Sequence, residues 1–164
     1  MDPLIAARTG NALRLRHWFE ATPERVFAAW TNPDALRLWW CPTGWHPAEF
    51  AVDLRPGGRY QLAMARESGA QLITVHGRFL EIEPPRRLVY TWRWDGAFAD
   101  MPETIVSVEF RAVTGGTELT MRQEVLELPK CARQLSGWLA AFERLALSVE
   151  PHPACQPPLL AQAV

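Results

Sequence analysis

Cysteine is scarce in this chain of 164 residues. Cys41, Cys131 and Cys155 are odd in number, and none stands at CxxC spacing. That excludes a disulfide framework and a zinc knuckle, so three free thiols are expected, as in a reducing cytoplasm. Long apolar runs are also missing. No stretch approaches the roughly 20 residues that span a bilayer. The opening MDPLIAARTG lacks the basic start and apolar run of a signal peptide. Charge of one sign is missing as well: 17 basic residues face 18 acidic ones, for a net charge of −1. No global field draws such a chain to nucleic acid or to an anionic membrane. Tyrosine is rare, at two residues, whereas tryptophan reaches eight. Each indole brings large contact area and is costly to leave in water, so the set points to a wide apolar interior or a pocket. With 48% hydrophobic residues and this length, one domain with a real core is expected.

The order of elements follows from periodicity and punctuation. Leu13, Leu15, His17 and Phe19 alternate with Arg14, Arg16 and Trp18, which predicts a strand. Thr22-Pro23-Glu24 and Asn32-Pro33-Asp34 each combine an N-cap, a proline in the first turn and an early acid. These start signals predict two short helices, ending near Trp30 and Trp40. Alternating segments separated by Arg55-Pro56-Gly57-Gly58, Glu67-Ser68-Gly69, Pro84-Pro85 and Thr114-Gly115-Gly116 then predict a run of hairpins to about residue 126. The period next changes from two to 3.6. Leu135, Trp138, Leu139, Phe142, Leu145, Ala146 and Val149 form an apolar stripe on one long helix from about Lys130 to Pro151. The expected architecture is α+β: a six- or seven-stranded antiparallel sheet wrapped around the C-terminal helix, with the two short helices closing the gap at its open end. Residues 1–12 read as an N-terminal arm, 13–150 as the domain and 151–164 as a proline-rich tail.

Several segments share their residues with one family. Ala21-Thr22-Pro23-Glu24-Arg25-Val26-Phe27-Ala28-Ala29-Trp30 follows the pattern A-x-P-E-x-V-F-x-A-W, and Trp39-Trp40 follows the second helix. Asp53-Leu54-Arg55-Pro56-Gly57-Gly58, Pro84-Pro85-Arg86-Arg87-Leu88-Val89-Tyr90-Thr91-Trp92, Gly115-Gly116-Thr117-Glu118-Leu119-Thr120 and Gly137-Trp138 come next, in order. The chain resembles the heat-shock-protein-90 ATPase activator homologues, a branch of the START-like (SRPBCC) helix-grip superfamily. The resemblance covers about residues 13–150 and implies the helix-grip fold. It carries function less far, because these are mainly structural motifs.

Candidates for chemistry are few. Cys41 and His46 could form an activated nucleophile or half of a metal site, but no third ligand or orienting acid has a telling spacing. They read as a thiol near an unrelated histidine. His76 and Arg78 share one strand face. The opposite face, with Ile73, Val75 and Phe79, is the more apolar and is expected to point inward. Glu49, Glu81, Glu83, Glu103 and Glu109 alternate with apolar residues, as on a solvated face. Arg55-Pro56-Gly57-Gly58 lacks the phosphate-loop pattern. No catalytic residue, metal site or cofactor is assigned.

The aromatic residues remain. Trp39, Trp40, Phe50, Tyr60, Met64, Tyr90, Trp92, Trp94, Trp138 and Phe142 are the expected lining of a cavity between sheet and helix, with ordinary core packing as the alternative for each. The reading is non-enzymatic binding of a small hydrophobic or aromatic ligand by a cytoplasmic protein. Two rivals are a chaperone-ATPase-activator-like interaction module and a cyclase- or hydrolase-type enzyme of the START-like kind. No nucleic-acid or membrane partner is expected. A homodimer and a chaperone partner stay open.

Overall fold

The computed structural model describes residues 5–9, 12–124 and 128–151, with the side chains of 5–9, 128–131 and 133 left aside. The elements are β1 (Ile5–Thr9), β2 (Ala12–Phe19), α1 (Pro23–Thr31), α2 (Pro33–Trp39), β3 (Trp45–Val52), β4 (Arg59–Arg66), β5 (Leu72–Glu83), β6 (Arg87–Asp95), β7 (Thr104–Val113), β8 (Gly116–Glu124) and α3 (Leu128–Val149). The strands form one antiparallel sheet in the order β1-β2-β8-β7-β6-β5-β4-β3.

The architecture is the α+β helix grip expected from the change of period. The sheet has eight strands among the described residues rather than six or seven. The extra strand, β1, lies in the segment read as an arm: Ile5–Thr9 pairs with Ala12–Arg16 of β2. Backbone pairing on an open strand edge accounts for it, and such pairing leaves no periodicity for a sequence to show. Of the proline-rich tail, only Pro151 falls among the described residues, as Cys155 does not.

Local chemistry sets the two short helices. Thr22 Oγ1 accepts from the Arg25 N–H at 3.3 Å, and Asn32 Oδ1 accepts from the Asp34 N–H at 2.9 Å. Each cap satisfies one of the donors that a helix start leaves without a partner. Together α1 and α2 carry the chain from β2 to the far edge strand β3 and cover the end of the sheet. Bulges between Phe79 and Glu81 and between Pro47 and Glu49 bend β5 and β3. Gly77 permits a close approach inside the sheet. A Cβ there would collide with the Thr91 carbonyl and the Tyr60 ring, whose hydroxyl donates to that carbonyl at 2.6 Å.

Helix α3 lies across the inner face. Trp138, Ala141, Phe142, Leu145 and Val149 are buried, and Phe142 and Leu145 are completely so. Leu135, Leu139 and Ala146 sit on the flank of this stripe, partly buried. The buried face is therefore turned slightly from the expected stripe, and Leu139 is a flank residue rather than a central one. Gln134, one turn before Trp138, takes a place on the buried face.

Candidate functional site

A cavity of about 630 Å³ opens between the inner face of the sheet and the N-terminal half of α3. Strand β4 contributes Met64, β5 Ile73, and β6 Trp92 and Trp94. Helix α3 contributes Gln134, Gly137, Trp138 and Ala141. The segment after α2 adds Trp40, Pro42 and Trp45, and the loop between β6 and β7 adds Ala97, Phe98, Asp100 and Met101. Trp92 and Trp94 reach the same side because residues two apart on a strand share a face. The volume lies within the roughly 300–1,000 Å³ typical of small-molecule sites.

The rings form a continuous wall. Trp92 meets Trp94 edge-on at 5.5 Å, and Trp94 meets Phe98 edge-on at 5.5 Å. On the other side Trp92 lies 5.2 Å from Trp138 and 6.0 Å from Trp40 between ring centroids. Arg66 places its guanidinium 5.1 Å over the Trp45 ring at the exposed rim. Behind Trp40, Trp92 and Trp138 lies a second void of about 30 Å³, so these three indoles form the partition between cavity and core.

Eight of the ten sequence-predicted lining residues fall into two places, and Phe50 and Phe142 line neither. Trp40, Met64, Trp92, Trp94 and Trp138 line the cavity. Trp39, Tyr60 and Tyr90 border the small void behind the partition. Trp39 donates its indole N–H to the Ala29 carbonyl at 2.9 Å, and Tyr90 accepts from Trp30 Nε1 at 3.1 Å. Burial pushes both tyrosine hydroxyls up from their ordinary range, which keeps them neutral. Phe50 packs edge-on against Trp40 at 5.7 Å, and Phe142 packs among Phe19, Trp30 and Trp138.

Reading the sequence missed the cavity residues Phe98 and Met101, which sit in a loop with no period, and Gln134. The last had a signal: it stands four residues before Trp138, so a helix places both on one face. The wall also shows how Trp138 is held. Its N–H donates to Gln123 Oε1 at 2.8 Å, and Gln123 Nε2 donates to Thr104 Oγ1 at 3.1 Å, all three residues being buried.

The remaining polar candidates lie elsewhere. Ile73, Val75 and Phe79 point inward, which puts His76 on the outer face. There its Nε2 lies 3.0 Å from the Asp95 carboxylate, without hydrogen-bond alignment. The five glutamates Glu49, Glu81, Glu83, Glu103 and Glu109 are exposed. Burial pushes the Cys41 thiol up to about 11, against the smaller opposing effects of Arg144 and Arg37. A thiol so held is the opposite of an activated nucleophile. Among the described residues, no group of three His, Cys, Asp or Glu side chains gathers as a metal ion would require. None of the described helices is long and apolar enough to cross a membrane.

Fold and site together define a helix-grip domain with an aromatic-walled interior cavity. The profile of the activator of Hsp90 ATPase homolog 1-like proteins matches residues 20–150, and the chain belongs to that family. Solved structures agree. A protein from Chromobacterium violaceum is 31% identical, with a TM-score of 0.78 over 88% of this chain and 100% of its own. The AHSA1-like protein from Aeromonas hydrophila is 27% identical, with a TM-score of 0.69 over 84% of this chain and 90% of its own. The AHSA1 protein from Silicibacter pomeroyi is 26% identical, with a TM-score of 0.72 over 83% of this chain and 95% of its own. No curated protein matches the chain significantly.

Proposed function

We propose that this protein binds a small, flat, hydrophobic ligand in the cavity between its sheet and α3, and that it works as a binding protein rather than a catalyst. The observation carrying this reading is the cavity of about 630 Å³ walled by Trp40, Trp92, Trp94, Phe98 and Trp138. A planar molecule entering it loses water from both faces and gains offset or edge-on ring contacts. The test is a titration with Nile red and a panel of planar apolar compounds, read by dye emission and by quenching of the indoles. Saturable binding near one site per chain is expected. Trp92→Ala or Trp138→Ala, in variants that still fold, should weaken it about tenfold or more.

The family description favours a second reading, an activator-type module that docks on a chaperone ATPase. If no compound binds saturably, and a crystal structure shows side chains filling the cavity, the binding reading fails. Stimulation of an Hsp90 ATPase by the purified chain would then support the second one.

A further inference from the structure

Strand β4 lays one row of side chains on the inner face of the sheet. Tyr60, Leu62 and Met64 are buried there. Arg66 continues the row, since residues two apart on a strand share a face. Met64 and Arg66 both line the cavity, and Arg66 is exposed, so the row ends in a cation at the mouth. Among the described residues no other lysine or arginine lines the cavity. The cross-strand neighbour Trp45, itself a lining residue, fixes the place of the charge. The guanidinium lies 5.1 Å from the centre of that ring, within the range of a cation–π contact. Other arginines of the sheet have acidic partners. Arg16 and Arg111 meet Glu118, Arg87 meets Glu81 and Glu109, and Arg122 meets Glu124. Arg66 has no carboxylate within 4 Å among the described residues, and Asp100, the one carboxylate on the described lining, is not paired with it.

A cation without a counter-charge, set at the mouth of an apolar interior, selects a chemistry. A guanidinium carries five N–H donors in a planar fork, and a carboxylate takes two of them in parallel. The spacing suits a compact ligand. Arg66 stands two residues beyond Met64, roughly 7 Å along the strand. A ring system resting over Met64 therefore brings a directly attached carboxylate beside the arginine. The same ring removes water from one side of the ion pair, which strengthens it. An ammonium would be repelled. A phosphate monoester carries nearly two charges, and a single guanidinium does not replace their hydration. We infer that the cavity takes a flat aromatic carboxylate, its rings in the indole-walled interior and its carboxylate on Arg66 at the mouth. This rests on the cavity reading above and narrows it.

Three naphthalenes of similar shape separate the two: 2-naphthoate, 2-naphthamide and 2-naphthylmethylammonium. Burial alone ranks the neutral amide first, because it gives up the least hydration. Dissociation constants come from displacement of Nile red at pH 7.5, at low and at high salt. The expected result at low salt is that 2-naphthoate binds at least about fivefold more tightly than the amide. High salt should shrink that preference, since the pair is partly exposed. Arg66→Gln should weaken 2-naphthoate about threefold to tenfold and leave the amide within about twofold. The unchanged amide affinity shows that the variant still folds. Arg66→Lys keeps the charge and loses the fork, so it should retain part of the preference. In protein labelled with 15N-arginine, the Nε–H resonance that disappears in Arg66→Gln should move with 2-naphthoate and stay in place with the amide. If Nile red and all three probes fail to bind saturably, the cavity reading falls and this inference with it. If Nile red or the amide binds while 2-naphthoate shows no preference, keeps its preference in Arg66→Gln, or binds more weakly than the ammonium compound, the inference alone is overturned.

Discussion

Trp138 donates its indole N–H to the side-chain carbonyl of Gln123 at 2.8 Å, which ties the cavity wall on α3 to the innermost face of β8. Gln123 is completely buried, and its amide passes the connection on to Thr104 at 3.1 Å. Replacing it by leucine leaves an indole N–H and a hydroxyl unpaired in the interior. Gln123→Leu should therefore cost about 1–3 kcal/mol in urea unfolding. It should also loosen the Trp138 ring, seen as broadening of that indole resonance. A loss below about 0.5 kcal/mol would mean that water or a neighbour replaces the network.

Phe142 is the centre of the grip. Its ring lies 6.2 Å from Phe19 and 5.9 Å from Trp30, with no exposure to solvent. Phe142→Ala should cost about 3–5 kcal/mol, the lost transfer energy plus the void left behind. Leu139→Ala should cost less, about 1–2 kcal/mol, because that side chain is only partly buried on the flank of the helix. Equal losses for the two in thermal or urea unfolding would show that the buried face of α3 is assigned wrongly.

His17 makes stability depend on pH. Its ring stands edge-on to Phe19 at 4.5 Å and parallel to Phe142 at 6.3 Å. Burial lowers its pKa below 6.5, and the nearby Glu150 offsets this only in part. The unfolded chain therefore takes up a proton at a higher pH than the folded one. The stabilisation is fully present above about pH 6.5 and is lost as the pH falls through the folded value. Urea unfolding at pH 7.5 and at pH 5.5 should show less pH dependence in His17→Gln than in the parent. An unchanged difference between the two pH values would remove His17 as its source.

Cys41 should be slow to alkylate. Burial raises its thiol to about 11, so the thiolate is rare at neutral pH. In a variant carrying Cys131→Ser and Cys155→Ser, iodoacetamide at pH 7.5 should modify the native protein at least about tenfold more slowly than the urea-unfolded one. Similar rates would show that the thiol is open and ionisable. In the parent chain, labelling of the denatured protein without reductant should count three thiols, matching its three cysteines. Cys131 and Cys155 lie where the side chains are not described.

Much of the architecture was written in local chemistry. Thr22-Pro23 and Asn32-Pro33 start helices because a cap side chain and a fixed φ act within three residues of each other. Leu13, Leu15 and Phe19 alternate because neighbouring strand residues face opposite sides, and all three are buried. The long C-terminal stripe announced α3 in the same way, since helical period is a property of the chain itself.

What local chemistry could not decide was the destination of residues with equal apolar character. Trp39 and Trp40 are adjacent, yet one bonds to α1 behind the partition and the other faces the cavity. Their places depend on the angle at which α2 meets α1 and α3, a matter of packing between distant segments. Strand β1 owes its form to the free edge of β2, and no side-chain pattern marks it. The polar atoms of the wall show the division most clearly. Spacing along the chain was enough to gather tryptophans around one long helix. That Trp138 finds Gln123 while Trp92, Trp94 and Gln134 keep buried polar atoms without partners among the described residues was settled by packing, because hydrogen-bond partners are matched across the fold and not along the chain.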